Sequence, residues 1–158
     1  MTDYIAYWKY FWRDIELFGP AKIIHEWHTT SESVFNNLVP GNNIWVIIQA
    51  GKDYPVEWRL LQRIYIVSLG IDTRKDNYEV DEYGHFCAFG DKKLSQIFEI
   101  KDQQDLTPVL HKLEFVSGRR LTARGKLIGR SFQMLRPITA NDSRLLDKYS
   151  KELKLITV

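Results

Sequence analysis

The pattern of apolar positions predicts mostly short strands, and the strongest of them is Ile44–Gln49. Its almost continuous apolar character is typical of a central strand that is buried on both faces. Arg59–Leu69 predicts the strand that pairs with it across the connection Gly51–Glu57. Further strands are predicted at Tyr4–Trp8, at Tyr83–Phe89 after an acidic loop over Asp76–Glu82, and at Gln96–Ile100.

Helix signals are short and interrupt these strands. They predict a loop or short helix at Lys9–Phe18, a helix capped by Ser31 or Ser33 that ends near Leu38, and a helix at Leu106–Leu113. A last helix is capped by Asn141 or Asp142 and runs to Leu153. We therefore predict an α+β fold in one domain over residues 1–158. It is a strongly curved, mostly antiparallel β-barrel of about five to six strands, with short decorating helices and a C-terminal helix.

Composition places the chain among ordinary globular proteins. Hydrophobic residues make up 44% and charged residues 27% of its 158 positions, which argues against disorder. The one cysteine, Cys87, cannot form an internal disulfide, and no leader segment opens the sequence. The longest apolar run has five residues, too short for a membrane span of about 20. We expect a cytoplasmic protein.

The distribution of charge and the aromatic content are the two unusual features of this composition. The net charge is only +2, but six basic residues fall in a stretch that contains no acid: Arg119, Arg120, Arg124, Lys126, Arg130 and Arg136. Such a local patch attracts phosphate groups, although a solvated basic loop is an equally good interpretation. Aromatic residues make up 13% of the chain and include five tryptophans.

Residues able to support catalysis or metal binding form only weak patterns. His25 and His28 share a face if they lie on a helix, but His85 and Cys87 make a poor second couple for zinc. A lone Cys87 in an aromatic strand is usually a small core residue, and no glycine-rich phosphate loop is present. We expect no enzymatic activity, no metal and no cofactor.

Two segments together resemble the EVE domain family, which belongs to the PUA-like superfamily and is related to YTH domains. Ser131–Thr139 followed by the helix after Asn141 resembles the C-terminal part of these domains. Tyr7–Trp8 and the stretch from Trp27 through Leu38–Asn42 to Trp45 resemble the N-terminal half. The resemblance implies a PUA-like barrel with a pocket beside the first strand, in which aromatic side chains hold a flipped and modified base.

Stacking and hydrogen bonding must repay the cost of unstacking such a base, and each aromatic platform contributes about 1–3 kcal/mol. The candidate walls are Tyr7, Trp8, Trp12, Trp27 and Trp45. The candidate readers of the base edge are Thr29, Ser31, Asn36 and Gln49, and the candidate phosphate contacts are Arg119, Arg120, Arg130 and Arg136. Trp45 also fits a core position, and Arg136 also fits an ion pair near the last helix.

The leading hypothesis is a reader of a modified base in DNA or RNA, acting alone or beside a nuclease or modifying enzyme. An ASCH-like small-molecule or RNA-processing enzyme is the first alternative. A buried Lys, Glu or Asp in the pocket would favour the enzyme, whereas we expect a reader to have an uncharged aromatic pocket. A protein-interaction module with an exposed aromatic patch is the second alternative.

Overall fold

The computed structural model describes residues 2–51 and 55–156. Eight strands form one sheet: β1 (Asp3–Tyr7), β2 (Glu26–Thr29), β3 (Asn43–Gln49), β4 (Trp58–Ile71), β5 (Phe86–Gly90), β6 (Gln96–Phe98), β7 (Arg136–Ile138) and β8 (Leu155–Ile156). Five helices surround it: α1 (Phe11–Phe18), α2 (Glu32–Phe35), α3 (Tyr78–Tyr83), α4 (Thr107–Lys112) and α5 (Ala140–Ser150). Short 3₁₀ helices occupy Pro20–Lys22 and Gly125–Phe132.

The sheet has the strand order β2-β5-β4-β3-β1-β7, and β6 pairs with both β4 and β8. Among the strands of the described residues, β1 and β3 run parallel, and the other ladders are antiparallel. The 14-residue β4 joins most of the sheet, because it pairs with β3 and β6 along its first part and with β5 along its second. Among the described residues no ladder closes the sheet, so the fold is a mixed α+β structure with an open sheet.

Both faces of the sheet are buried at its centre. Ile44, Val46 and Ile48 on β3 join one apolar cluster, while Trp45 and Ile47 join the other, because alternate residues of a strand face opposite sides. This confirms the prediction of a central strand with two buried faces. The second cluster is completed by α4 and α5 through Leu110 and Leu146.

Several predicted elements are confirmed and others are corrected. Strands β1, β3, β4 and β6 and helices α1, α2 and α4 occur where the sequence predicts them, with Ser31 as the cap of α2. The connection predicted over Gly51–Glu57 lies partly outside the described residues. No helix of the described chain has the length and apolar character that spanning a membrane requires.

Three predictions were wrong. The segment 76–82 is not an acidic loop, because Asn77 caps helix α3 there by accepting a hydrogen bond from the Val80 amide. The strand after it therefore starts at Phe86. Thr139, not Asn141 or Asp142, caps α5, which ends at Ser150. The strand count of five to six was too low, because β2, β7 and β8 are only two to four residues long.

Candidate ligand cavity and groove

A cavity opens between α1, β2 and α3, beside the end of the first strand. We call it the aromatic cavity; its lining residues are Trp8, Asp14, Lys22, Ile24, Glu26, Trp27, His28, Gln62, Tyr78, Glu79 and Tyr83. Two of the predicted wall residues, Trp8 and Trp27, are among them. Four aromatic rings therefore share the cavity with several ionisable side chains.

One glycine brings α3 against β2 and so closes one side of the aromatic cavity. Gly84 ends α3 with a φ of 121°, and a Cβ there would lie 2.4 Å from the Thr29 backbone. No other residue fits this close approach without displacing backbone. The contact sets Tyr83, the residue before it, at the cavity lining.

Asp14 organises the aromatic side chains. Its side chain is fully buried, and its two carboxylate oxygens accept hydrogen bonds from four side chains, two of them from the distant helix α3. The donors are Trp8 Nε1 at 3.0 Å, Tyr78 Oη at 2.6 Å, Tyr83 Oη, and Arg13 Nε at 3.1 Å. Because each donor is directed at one carboxylate, the Trp8 ring and both tyrosines are held in fixed positions.

The same contacts decide the charge of Asp14. Burial opposes ionisation, but the hydrogen bonds from Tyr78, Tyr83, Trp8 and Arg13 together outweigh it, and the pKa of Asp14 lies below its usual range. The pKa of Tyr83 is raised by burial and by its hydrogen bond to Asp14. At neutral pH Asp14 is therefore an ionised acceptor whose oxygens are already engaged by four protein donors.

The other charges that line the aromatic cavity also have partners. Lys22 Nζ lies 3.0 Å from Glu79 Oε1, and Arg74 Nη2 lies 2.7 Å from Glu26 Oε1. The pKa of Glu26 is lowered by its hydrogen bonds to His28 and Arg74, against the effect of burial. The cavity is thus not the uncharged pocket that a base reader was expected to have, but its charges are compensated within the protein.

A groove continues from the aromatic cavity across β1. It shares Trp8, Trp27, His28 and Tyr83 with the cavity and adds Tyr7, Thr29, Ser31 and the segment 132–135. Thr29 Oγ1 accepts a hydrogen bond from the Ser31 amide, and Ser31 Oγ accepts one from the Val34 amide. These two hydroxyls therefore stabilise the β2–α2 connection as well as lining the groove.

The far end of this groove is basic. A second depression shares Tyr7, Lys9, Phe132 and Gln133 with the groove and adds Gln49, Lys126 and Arg130. Lys126 and Arg130 lie on the 3₁₀ helix Gly125–Phe132, which approaches Tyr7 closely at Gly129. The basic stretch is thus partly helical, and one part of it lies beside the predicted base pocket.

The remaining predicted walls lie elsewhere. Trp45 is 2% exposed in the core and is not a cavity residue, in agreement with the alternative interpretation of this position. Trp12 is 36% exposed and its Nε1 donates to the Gln49 carbonyl oxygen at 2.8 Å. Asn36 follows α2 at an exposed position. None of these three lines the aromatic cavity.

Of the predicted phosphate contacts, the structure brings only Arg130 to the groove. Arg119 and Arg120 are exposed and do not line it. Arg136 stacks on the Phe115 ring, with its guanidinium carbon 3.7 Å from the ring centroid, and its Nη2 donates to the Arg119 carbonyl oxygen. Arg136 thus packs against aromatic rings, not against a carboxylate near the last helix.

The histidine pattern takes a different form from the one predicted. His25 and His28 do not share the face of a helix, because His28 lies on strand β2 and His25 directly precedes it. His28 is paired across the sheet with Cys87, and His85 is exposed. Cys87 is fully buried, as predicted for a core residue, and burial raises the pKa of its thiol.

Sequence reasoning missed Asp14, Tyr78, Tyr83 and Gln62 as cavity residues. Asn77 before Tyr78 was the available signal for α3, because asparagine is a preferred helix cap. Nothing local marked Asp14, whose donors Tyr78 and Tyr83 follow it by 64 and 69 positions. The chain matches no protein-family model and no curated protein sequence, so its function has to be inferred from the cavity and the groove themselves.

Proposed function

We propose that this protein is a nucleic-acid-binding module that holds a flipped, modified base in the aromatic cavity. The observation that carries the proposal is the continuity of the aromatic cavity, which contains Trp8 and Trp27, with a groove that ends at Lys126 and Arg130. Aromatic walls bind a base by stacking, and basic side chains at the end of a groove bind the phosphates next to it.

Charge compensation in the aromatic cavity supports a neutral ligand. Asp14, Glu26 and Glu79 each have a basic partner within about 3 Å, so the cavity offers no unpaired charge to a cationic or anionic substrate. The ring of a nucleobase is neutral at physiological pH, and its edge carries donors and acceptors. Gln62, whose amide nitrogen donates to the Ile24 carbonyl oxygen, presents a side-chain carbonyl as an acceptor for such an edge.

The mixed α+β fold supports the resemblance to EVE domains. A mostly antiparallel sheet with a cavity beside its first strand suits a PUA-like barrel, and the register shifts where β4 pairs with β3 and β5 are of the kind that bend strands. We also propose that the sheet is part of a PUA-like fold of the EVE family. A nuclease or a modifying enzyme is the proposed partner.

An enzyme remains the second candidate, because the aromatic cavity does contain a buried carboxylate. A general base needs a free oxygen and a pKa near the working pH. Asp14 has four internal donors and a lowered pKa, which is the opposite combination. The reader is therefore favoured, and incubation with modified nucleosides and RNA oligonucleotides, followed by mass spectrometry of the products, tests the alternative.

Anisotropy titrations with labelled DNA and RNA oligonucleotides, unmodified or carrying methylated or hydroxymethylated bases, test the reader directly. We expect one modified base to bind best, and Trp27→Ala to weaken that binding by roughly 5- to 150-fold, the equivalent of one stacking platform. Trp12→Ala is the matched control, because this tryptophan lies outside the aromatic cavity. The oligonucleotide affinity of this variant should equal that of the wild type. Absence of binding to every oligonucleotide would overturn the proposal.

A further inference from the structure

Four side chains that can bind a metal ion meet at the edge of the sheet, and two of them, Glu26 and His28, also line the aromatic cavity. Glu26 and His28 lie two residues apart on β2 and so face the same side, while Cys87 lies opposite His28 on β5. Asp72 directly follows β4. One ligand atom from each of these four residues lies within 4.8 Å of the other three.

The distances among these atoms are those of a small coordination sphere. His28 Nε2 lies 3.5 Å from Cys87 Sγ, 2.8 Å from Glu26 Oε1 and 4.0 Å from Asp72 Oδ2, and Cys87 Sγ lies 3.9 Å from Glu26 Oε1. Zinc bonds of about 2.0–2.3 Å in a tetrahedron separate neighbouring ligands by roughly 3.3–3.8 Å. Small side-chain adjustments therefore complete the sphere.

The orientation of His28 is already fixed for a ligand. Its Nδ1 lies 3.1 Å from the Gly84 carbonyl oxygen, and because a carbonyl only accepts, Nδ1 must carry the proton of that hydrogen bond. The second nitrogen, Nε2, faces Glu26 Oε1 and Cys87 Sγ; it donates to the carboxylate when it carries a proton and can bind a metal ion when it does not. Backbone carbonyls hold metal-binding histidines in this way.

Arg74 completes the arrangement from the solvent side. Its half-exposed guanidinium group binds Asp72 through Nε at 2.9 Å and Glu26 through Nη2 at 2.7 Å. Outer partners of this kind orient carboxylate ligands. A divalent cation with the carboxylates of Glu26 and Asp72, the Cys87 thiolate and the Arg74 guanidinium makes a neutral cluster, which suits its burial.

We propose that Glu26, His28, Asp72 and Cys87 bind a zinc ion that links the edge strand β2 to β5 and to the end of β4. The mixed sulfur, nitrogen and oxygen donors suit this borderline cation better than calcium or magnesium, which take oxygen ligands only. All four positions are taken by protein atoms, so the ion is structural. It holds β2, which carries the cavity residue Trp27, in place.

Cobalt(II) titration of the full chain, after dialysis against a chelator, tests the site because thiolate ligation produces a charge-transfer absorption in the near ultraviolet. We expect one cobalt ion per chain, displaced by zinc. Cys87→Ser should abolish that absorption and weaken cobalt binding tenfold or more, since even outer partners contribute 10- to 100-fold. His85→Asn is the matched control, because His85 is exposed and outside the cluster, and its spectrum should be unchanged.

A second readout needs no variant. Zinc at about 100 times its dissociation constant should raise the melting temperature of the chelator-treated protein by roughly 5–10 °C. Wild-type protein that shows neither cobalt absorption nor this shift overturns the proposal, and so does a cobalt spectrum that survives Cys87→Ser. Oligonucleotide binding is not part of either measurement, so the result is independent of the proposed base reader.

Discussion

Two fully buried aspartates, Asp142 and Asp14, show how differently the same side chain is used in two regions of this molecule. Asp142 accepts hydrogen bonds from three backbone amides, those of Glu114, Phe115 and Thr139, at 2.8–3.0 Å. The donors to Asp14 named above are all side chains, and three of them, Trp8, Tyr78 and Tyr83, line the aromatic cavity. One carboxylate therefore fixes the path of the chain, and the other fixes the positions of rings.

The difference follows from where the donors come from. Asp142 is the third residue of α5, where it forms a capping box with Thr139. Its carboxylate also contacts the segment after α4 that contains Glu114 and Phe115. A buried backbone amide that loses its acceptor finds no other partner, so removing the acceptor lowers the free energy of unfolding. The tyrosines on Asp14 line a cavity, where a solvent molecule or a ligand can replace the lost acceptor. We therefore expect the Asp142 site to govern stability and the Asp14 site to govern binding.

The largest expected effect is that of Asp142→Ala, which removes the acceptor of three backbone amides, including that of the buried Phe115. We expect the free energy of unfolding to fall by about 3–5 kcal/mol, measured by urea denaturation. Asp147→Ala on the same helix is the control, because Asp147 forms an exposed ion pair with Lys151 and should change stability by less than about 1 kcal/mol. Equal losses for both variants would remove the special role of Asp142.

Asp14→Asn should cost less stability but more binding. An amide in place of the carboxylate turns one nitrogen towards donors, and we expect a loss of about 1–3 kcal/mol in urea denaturation. Oligonucleotide affinity should fall as well, because Trp8, Tyr78 and Tyr83 lose their common acceptor. Full affinity in a folded Asp14→Asn variant would contradict this role.

A single donor to Asp14 should matter less again. Tyr83→Phe keeps the ring and removes one hydroxyl donor, and we expect a loss of about 1 kcal/mol. The exposed Tyr10 provides the control, since Tyr10→Phe should leave the urea midpoint unchanged. A Tyr83→Phe variant as stable as wild type would show that solvent replaces this donor without cost.

The smallest expected effect is the loss, in Asp14→Asn, of the pH dependence of stability that Asp14 contributes. The pKa of Asp14 is lower in the folded protein than its unfolded value of about 3.9. Its contribution to stability is therefore present above pH 4 and is lost as the pH falls below about 4 towards the folded value. Stability curves from pH 7 to pH 3 should drop less steeply for Asp14→Asn than for the wild type; parallel curves would contradict this.

The parts of the fold that the sequence predicts are those with local causes. The apolar run of β3 and the turn before it, where Gly41 has a φ of 95°, are visible in a few consecutive residues. Strand β2 has the sequence Glu-Trp-His-Thr and shows no apolar run. It is a strand only because β5 supplies its hydrogen bonds, and tertiary pairing of this kind leaves no local pattern.

In the candidate site, too, the predicted residues are those whose own side chain indicates the role. Trp8 and Trp27 were predicted from their aromatic character, and Arg130 from its charge, and the structure brings all three to the cavity and groove. The burial of Asp14 and the packing of Arg136 on Phe115 depend on partners far away in the sequence. A charged residue is assigned to solvent by default, and only the assembled fold reveals its partners.

Strand β2 has hydrogen-bonded strand neighbours on one side only, since it pairs with β5 at the end of the strand order. In the language of local unfolding, an edge strand of four residues can detach without breaking the ladders of β4, β3 and β1. Trp27 therefore lies on an edge strand that a single ladder joins to the rest of the sheet. The wall that Trp27 forms therefore depends on its packing against the apolar cluster of Ile44, Val46 and Ile48 as well as on the β5 ladder.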